Sequence, residues 1–463
     1  MLMYRILYAF LFLGSFAVMV AAQSTATIQV DITDPRGPMN ISRFGLGQGG
    51  FAKEQAFNHR TAEIRMLKPA VIRLFLQEYY DLLPAPGKYH FSYLDAPIDD
   101  ILATGAKPLL CITFKPKILF PKIDQDLTEP NSWTAWEDLV YHLVSHYKQR
   151  NGGGWYWEIG NEVDLPSGGG TPYHFSPETY IKFYEHTVKA IRRADPSAYV
   201  GGPALAHNKY PILEALLAFC DRNHFPLDFV SWHGYTNDPT WYRRTLDQVH
   251  GLLEKYPSIH PKTVIDEWNI ALGMPSPDPR FQPAFIAETT YQMDEGGLDL
   301  SCYYHIRDYP FAEDQFLKFY PEKMTYEQTI FWDRRSIYLG LFDYTEQARP
   351  AYYVFRMLEA LTGDRLKVGS DSSTVHSLAS VDLKRGTATV MIWNYSDRPT
   401  NVTLLLKGLS KDIKAWRSVL NINNLNDDAQ RLHAEPRVQV RKDDGKIAFP
   451  LDAWGITEIS LPL

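Results

Sequence analysis

Cysteine and runs of positive charge are what this sequence is short of. Its three cysteines, Cys111, Cys220 and Cys302, are too few and too scattered for a disulfide framework, and their spacings offer no zinc site. They read as buried apolar thiols. No long Lys/Arg run occurs, and 47 Lys+Arg against 54 Asp+Glu leave a formal net charge of −7, which excludes the electrostatic footprint of a nucleic-acid binder. Beyond the amino terminus no segment is long and apolar enough to span a bilayer. P-loop, H-E-x-x-H, G-x-S-x-G and EF-hand patterns are all missing, as is any repeat with a period of about 20–50 residues. A soluble enzyme or binding protein remains.

What is present is the makeup of a folded globular chain: 463 residues, 45% hydrophobic and 22% charged. Aromatic residues reach 14%, with 11 Trp and 28 Tyr, a richness common in proteins that handle sugars and also in any large core. Residues Met1 to Ala22 carry one basic residue, Arg5, then an apolar stretch from Ile6 to Val20 and a small-residue end, Val20-Ala21-Ala22. This is the pattern of a cleaved secretory signal, its apolar run being shorter than the ~20 residues of a spanning helix. An uncleaved anchor is the alternative. The expected mature chain starts at Gln23, is secreted or periplasmic, and has no membrane contact once cleaved. Sequons at Asn40, Asn394 and Asn401 matter only in a eukaryotic host.

From about Arg43 to Thr362 short β-branched or aromatic runs alternate with amphipathic stretches, the pattern of repeated β-α units around a parallel sheet. Eight strands are expected at Arg43–Gln48, Ala70–Phe75, Pro108–Phe114, Trp155–Gly160, Tyr199–Gly202, Phe229–Gly234, Thr263–Glu267 and Leu300–His305. Between them, Trp136, Leu139, Val140, Leu143, Val144 and Tyr147 recur at helical spacing, Ser176-Pro177-Glu178 opens another helix, and Pro350 to Leu361 forms one stopped by Gly363. Eight such units fit a (β/α)8 barrel, with a doubly wound open sheet as the alternative. After Gly363 the texture becomes alternating strands, an all-β sandwich appendage. The early strand Thr27–Ile32 is placed to pair with it. The expected organisation is therefore a signal at 1–22, a strand segment at 23–42, a catalytic barrel at 43–363 and a β-sandwich at 364–463.

The segment Gly45-Leu-Gly47-Gln-Gly-Gly50 satisfies G-x-G-x-x-G formally, but no helix opens on its glycines, and it reads as the exit from the first barrel strand. Acidic chemistry concentrates at two strand ends, Trp157-Glu158-Ile-Gly160-Asn161-Glu162 on the fourth strand and Ile265-Asp266-Glu267-Trp268-Asn269 on the seventh. Side chains at the carboxyl ends of barrel strands converge on the mouth where active sites form, so Glu162 and Glu267 are placed to meet there. Two facing carboxylates suit glycoside hydrolysis: one delivers a proton to the leaving oxygen while the other attacks or stabilises the oxocarbenium-like centre. Taken singly, either glutamate is better explained by loop capping or solvation. Glu158 lies two residues deeper along the same strand face and reads as a structural carboxylate in need of a buried partner.

The surroundings of the pair are more specific. Ile72-Arg73-Leu74, Gly105-Ala-Lys107-Pro108, Trp157-Glu-Ile-Gly-Asn161-Glu162, Ser231-Trp-His233-Gly-Tyr235, Glu267-Trp268-Asn269 and Arg349-Pro350-Ala-Tyr-Tyr353 occur in order along the barrel. In these pieces the sequence resembles clan A glycoside hydrolases, and most closely glycoside hydrolase family 39, the group of β-xylosidases and α-L-iduronidases. The resemblance implies Glu162 as general acid/base, Glu267 as nucleophile, and Asn161 as the partner of the sugar hydroxyl beside the reacting carbon. It also implies Arg73, His233 and Tyr235 as residues that position the nucleophile or line the sugar pocket. The sequence departs from the family pattern at Gly160, Val163 and Asp266, and Tyr303-Tyr304-His305 replaces a strand-end tryptophan, so that tyrosine, Tyr304, is the expected stacking platform. The aromatic stretch from Arg307 to Arg335 reads as a substrate loop or as a packed extension of the scaffold, and Lys115 and Arg307 either face a substrate carboxylate or point to solvent. The combined expectation is a secreted retaining glycosidase, β-xylosidase-like, acting on oligo- or polysaccharides without metal or cofactor. Its rivals are a glycan-binding protein that has lost turnover and a transglycosidase.

Overall fold

A computed structural model describes residues 24–50, 53, 57–165, 172–207, 210–272, 280–308, 310–333, 339–420 and 432–463. The leader-like segment and the glycine-rich loop Ser167–Gly170 lie outside the described residues. Among the described residues no helix is long and apolar enough to cross a membrane.

A long first strand, β1 (Ser24–Pro38), precedes eight parallel strands that close into a barrel in chain order: β2 (Phe44–Gln48), β3 (Val71–Leu76), β4 (Lys107–Ile112), β5 (Tyr156–Ile159), β6 (Tyr199–Leu205), β7 (Phe229–Tyr235), β8 (Lys262–Asn269) and β9 (Leu300–Tyr304). The architecture is a (β/α)8 barrel, as the β-α alternation predicted. Local signals set the helices between the strands. Ser132 accepts a hydrogen bond from the Ala135 amide at 3.2 Å to start Trp133–Asn151, whose buried face carries Trp136, Leu139, Val140, Leu143, Val144 and Tyr147. Ser176 and Thr179 form a reciprocal capping box before Pro177–Ala194.

The barrel lumen is layered because strand side chains alternate with a period of two. Its floor is apolar, built from Val71, Leu109, Phe229, Val264 and Leu300, with Tyr156 packed against it. Two residues further along the same strands stand Arg73, Cys111, Glu158, Ser231, Asp266 and Cys302, all 1% exposed or less. The apolar floor thus carries a polar layer, and the catalytic candidates sit above it.

The remaining strands, β10 (Asp364–Ser370), β11 (Val375–Asp382), β12 (Thr387–Asn394), β13 (Thr400–Lys407), β14 (Ile413–Leu420), β15 (Leu432–Ala434), β16 (Val438–Val440), β17 (Lys446–Leu451) and β18 (Ile456–Pro462), join β1 in one ten-stranded sheet. Its order is β15-β14-β18-β12-β11-β10-β1-β13-β17, with β16 on β14. The strands enclose one apolar core that includes Ile28, Val30, Val390, Leu404 and Ile459, the all-β appendage expected after Gly363. β1 runs antiparallel to β10 and parallel to β13, which ties the amino-terminal segment into the middle of this sheet.

One carboxylate locks sheet to barrel. Glu288, on the helix Phe281–Glu295, is 3% exposed and accepts from His376 Nδ1 of β11 at 2.6 Å and from Trp393 Nε1 of β12 at 2.8 Å. Burial works against its charge, but His376, Gln292 and Trp393 together outweigh burial and hold the carboxyl below its ordinary range. Glu288→Ala leaves the indole N–H without an acceptor and is expected to cost about 2–4 kcal/mol. Calorimetry checks this. The same carboxylate contributes stability above the ordinary glutamate range and loses it as pH falls through its lowered pKa.

Candidate active site

Arg73, on β3, is the centre of the polar layer. Its Nε donates to Glu158 Oε2 at 2.6 Å, its Nη1 to Glu267 Oε1 at 2.7 Å, and its Nη2 to Asn161 Oδ1 at 2.7 Å and to Cys111 Sγ at 3.3 Å, while Asp266 Oδ2 lies 3.1 Å from Nη2 in an ion pair. Burial opposes the guanidinium charge, but Glu158, Cys111, Asp266 and Glu267 overcome it, so the group stays charged. Cys111 is therefore buried against a cation and donates to the Gly160 carbonyl at 3.2 Å, which corrects the reading of an apolar thiol. Cys220 and Cys302 are buried and free.

Glu267 is brought into the pocket by a bulge. Between β7 and β8 the register pairs Trp232 with Ile265 but His233 with Glu267, leaving Asp266 as the extra residue. Without the bulge, period-two alternation sends Asp266 inward and Glu267 outward; with it, both face the lumen and Trp268 turns to the helix layer. Glu267 Oε2 accepts from the Tyr235 hydroxyl at 2.6 Å, and His233 Nδ1 lies 3.6 Å from the same oxygen. Burial and the neighbouring Glu267 push the Tyr235 phenol up, so it remains a donor.

Glu162 follows β5 in the left-handed region, at φ 47°, with its amide donating to the Ala204 carbonyl at 2.7 Å. Ala204 is held in turn by its own amide donating to Ser231 Oγ at 3.0 Å. Two of the departures noted in the sequence explain each other here. Gly160 has φ 87°, and a Cβ at that position meets Val163 Cγ1 at 2.4 Å. Val163 occupies the space that a side chain at 160 needs.

His233 Nδ1 is 3.3 Å from Glu162 Oε1, and its Nε2 is 3.2 Å from Asp266 Oδ2. One atom each from Glu162, His233 and Glu267 lie within 4.8 Å of one another, the one such trio among the described residues with the spacing of a metal site. Its donors are already committed. Burial opposes charge on His233, but Glu267 and Asp266 raise its pKa well above the ordinary value, and an imidazolium has no lone pair to give.

Glu158 is fully buried below this group. Burial, only partly offset by Arg73, raises its carboxyl to about 7, and the neighbouring Asp266 charge adds to the rise. Because the folded carboxyl holds its proton to a higher pH than the unfolded value of 4.5, this contribution is complete below 4.5 and fades as pH rises through about 7. Glu158→Gln is expected to lower stability by about 2–4 kcal/mol and to flatten the pH dependence of Tm across that interval; calorimetry over a pH series checks it. Normal stability with complete inactivation contradicts a structural role.

Above the carboxylates opens a cavity of about 510 Å³ lined by Asn161, Glu162, Tyr235, Glu267 and Tyr304 and by an aromatic wall. Much of that wall comes from the segment after β9. Phe311, Phe316 and Tyr320, and Phe331 and Trp332 on the helix Glu322–Asp333, all face the cavity. Trp332 was not singled out from the sequence, although the aromatic density of its segment was the available signal. Its indole Nε1 donates to Gln328 Oε1 at 2.8 Å, and its ring lies edge-to-face with Tyr304, centroids 6.5 Å apart. Tyr304 is itself tied down through its hydroxyl to the Gly49 carbonyl at 2.7 Å. Neither Lys115 nor Arg307 lines the cavity. Lys115 Nζ is buried against the Asp124 and Pro172 carbonyls and the Tyr173 ring, and Arg307 pairs with Glu346 at 3.0 Å.

A profile described as glycosyl hydrolases family 39 matches residues 85–410. The chain belongs to glycoside hydrolase family 39. A β-xylosidase from Caldicellulosiruptor saccharolyticus is 26% identical over 356 residues, 69% of this chain and 68% of that one. A β-xylosidase from Geobacillus stearothermophilus is 31% identical over 213 residues, 43% of this chain but 40% of that protein. Among solved structures, the family 39 enzyme of Xanthomonas axonopodis pv. citri superposes with a TM-score of 0.73 at 18% identity, covering 94% of this chain and 97% of that one. A monomeric β-xylosidase from Caulobacter crescentus CB15 gives 0.73 at 17% identity, covering 94% and 99%. These likenesses extend over barrel and sheet together. As a family 39 member the chain is a glycosidase, and a carbohydrate is its substrate.

Proposed function

We propose that the protein is a retaining, β-xylosidase-like exported hydrolase in which Glu162 is the general acid/base and Glu267 the nucleophile. The observation that carries this reading is the approach of the two carboxylates to within 4.8 Å at the base of the cavity. Carboxyl groups about 5–5.5 Å apart suit double displacement, whereas inversion needs about 6.5–9.5 Å to admit a water.

In the first step Glu267 forms a bond to the anomeric carbon as the glycosidic C–O bond breaks. The bond's electron pair goes to the leaving oxygen, which takes the Glu162 proton. In the second, water attacks the anomeric carbon, gives its proton to Glu162, and the ester pair returns to Glu267. Arg73 and Tyr235 hold the nucleophile's two oxygens in place. Asn161 Oδ1 is engaged by Arg73, so its NH2 is the end presented to a sugar hydroxyl. Tyr304 and Trp332 offer flat faces for the sugar ring.

The xyloside preference is supported by the β-xylosidase relatives, and export by the leader-like Met1–Ala22. A panel of aryl glycosides tests the first: fastest release is expected from aryl β-D-xylosides, and binding without release from any member contradicts turnover. Trp332→Ala is expected to raise KM about 10-fold or more, from a lost stacking contact of ~1.5 kcal/mol, with a smaller effect on kcat. Sequencing the amino terminus of the protein recovered outside the expressing cell checks the leader.

A further inference from the structure

Asp266 is the extra residue of the β8 bulge and lies fully buried behind the reacting groups. Its contacts gather on one oxygen, and Oδ1 has no hydrogen-bond partner among the described residues. Oδ2 accepts from His233 Nε2 at 3.2 Å and lies 3.1 Å from Arg73 Nη2 in an ion pair. The opposite ring nitrogen, His233 Nδ1, lies between the two catalytic candidates, 3.3 Å from Glu162 Oε1 and 3.6 Å from Glu267 Oε2. An imidazole with only one proton can satisfy Asp266 or the two glutamates, but not both sides.

We propose that Asp266 is a positioning residue that keeps His233 doubly protonated, so that the Nδ1 proton stands between Glu162 and Glu267 in the free enzyme and serves Glu162 in the glycosyl-enzyme. This rests on the assignment of Glu162 and Glu267 above. Charge follows the proton through the cycle. The assigned roles require Glu267 as the anion and Glu162 as the acid in the free enzyme; with Asp266 anionic, Arg73 and His233 cationic and Glu158 protonated below about 7, the buried group is then neutral. Once Glu267 is esterified, Glu162 has given up its proton and carries the negative charge. The imidazolium already has its Nδ1 3.3 Å from Glu162 Oε1, so the new negative charge is paired as it forms and no buried charge is left alone. Every charged group facing His233 takes part: Glu162 after β5, Asp266 and Glu267 on β8, and, behind them, Arg73 on β3 and Glu158 on β5. Asp266 itself remains ionised, since burial is outweighed by His233 and Arg73.

Asp266→Asn tests this. Loss of the carboxylate lets His233 give up its proton near neutrality, so the basic limb of the kcat/KM profile is expected to move at least one pH unit toward acid. At pH 7 kcat falls about 10-fold or more while KM changes little. The Arg73 contact is also lost, but arginine does not titrate in this range, so a shifted limb reports on His233. A uniform loss across pH, with the profile's shape unchanged, overturns the proposal. The double variant His233→Gln/Asp266→Asn is expected to be no worse than His233→Gln alone; additive losses overturn it. Should Asp266→Asn not fold, wild-type protein labelled with 15N-histidine decides: His233, assigned by its absence in His233→Gln, keeps both ring nitrogens protonated at pH 8, and a neutral ring at pH 7 overturns the proposal. Failure of the wild-type chain to release any aglycone strikes instead at the catalytic assignment, which keeps the two ideas separable.

Discussion

Glu267→Gln is expected to lose about 10⁵-fold or more in kcat/KM, on the scale of removing a covalent nucleophile. The side chain keeps its size, so the barrel and its core should remain intact. What it cannot do is form the ester. It also cannot accept on both sides as Glu267 does, from Arg73 Nη1 at 2.7 Å and from Tyr235 at 2.6 Å; one donor must then face an NH2. Unchanged circular dichroism with activity at background separates this loss of chemistry from misfolding. A 2-fluoro xyloside supplies the positive counterpart, slowing breakdown of the intermediate so that Glu267 is recovered covalently labelled. Label on any other carboxylate contradicts the assignment.

Glu162→Ala is the second large effect, about 10²–10⁴-fold, and its size depends on the substrate. A poor leaving group needs the proton that Glu162 supplies, whereas a dinitrophenolate departs without it. Activity is therefore expected to survive best on the most activated aryl xylosides. Azide, fitting the space left by the carboxylate, should restore turnover and yield a β-xylosyl azide. Equal loss on all leaving groups with no response to azide argues that Glu162 only supports its loop, where its amide is already held by Ala204.

Much of this architecture was legible from period-two strands alternating with amphipathic helices, because each barrel strand is a short apolar run bounded by helix signals. The eight expected strands overlap the eight observed, with ends shifted by up to three residues. Arg73, Asn161, Glu162, His233, Tyr235, Glu267 and Tyr304 converge on one polar layer and cavity, since all but Arg73, which stands mid-strand in β3, lie near or just beyond strand carboxyl ends. What escaped the sequence has specific causes. Alternation assigns Asp266 and Glu267 to opposite faces, and only the bulge against β7 turns both inward. Trp332 sits on a helix after β9, where nothing in its spacing says which face meets the cavity. Lys115 looked free to meet a substrate acid because its partners are backbone carbonyls remote in the chain, which carry no sequence signature.

The separation of the two carboxylates makes a stereochemical statement that one measurement reads directly. Proton NMR of an aryl β-xyloside digest, recorded before mutarotation, should show β-xylose as the first sugar released. First appearance of the α-anomer contradicts the double-displacement mechanism and, with it, the roles given to Glu162 and Glu267.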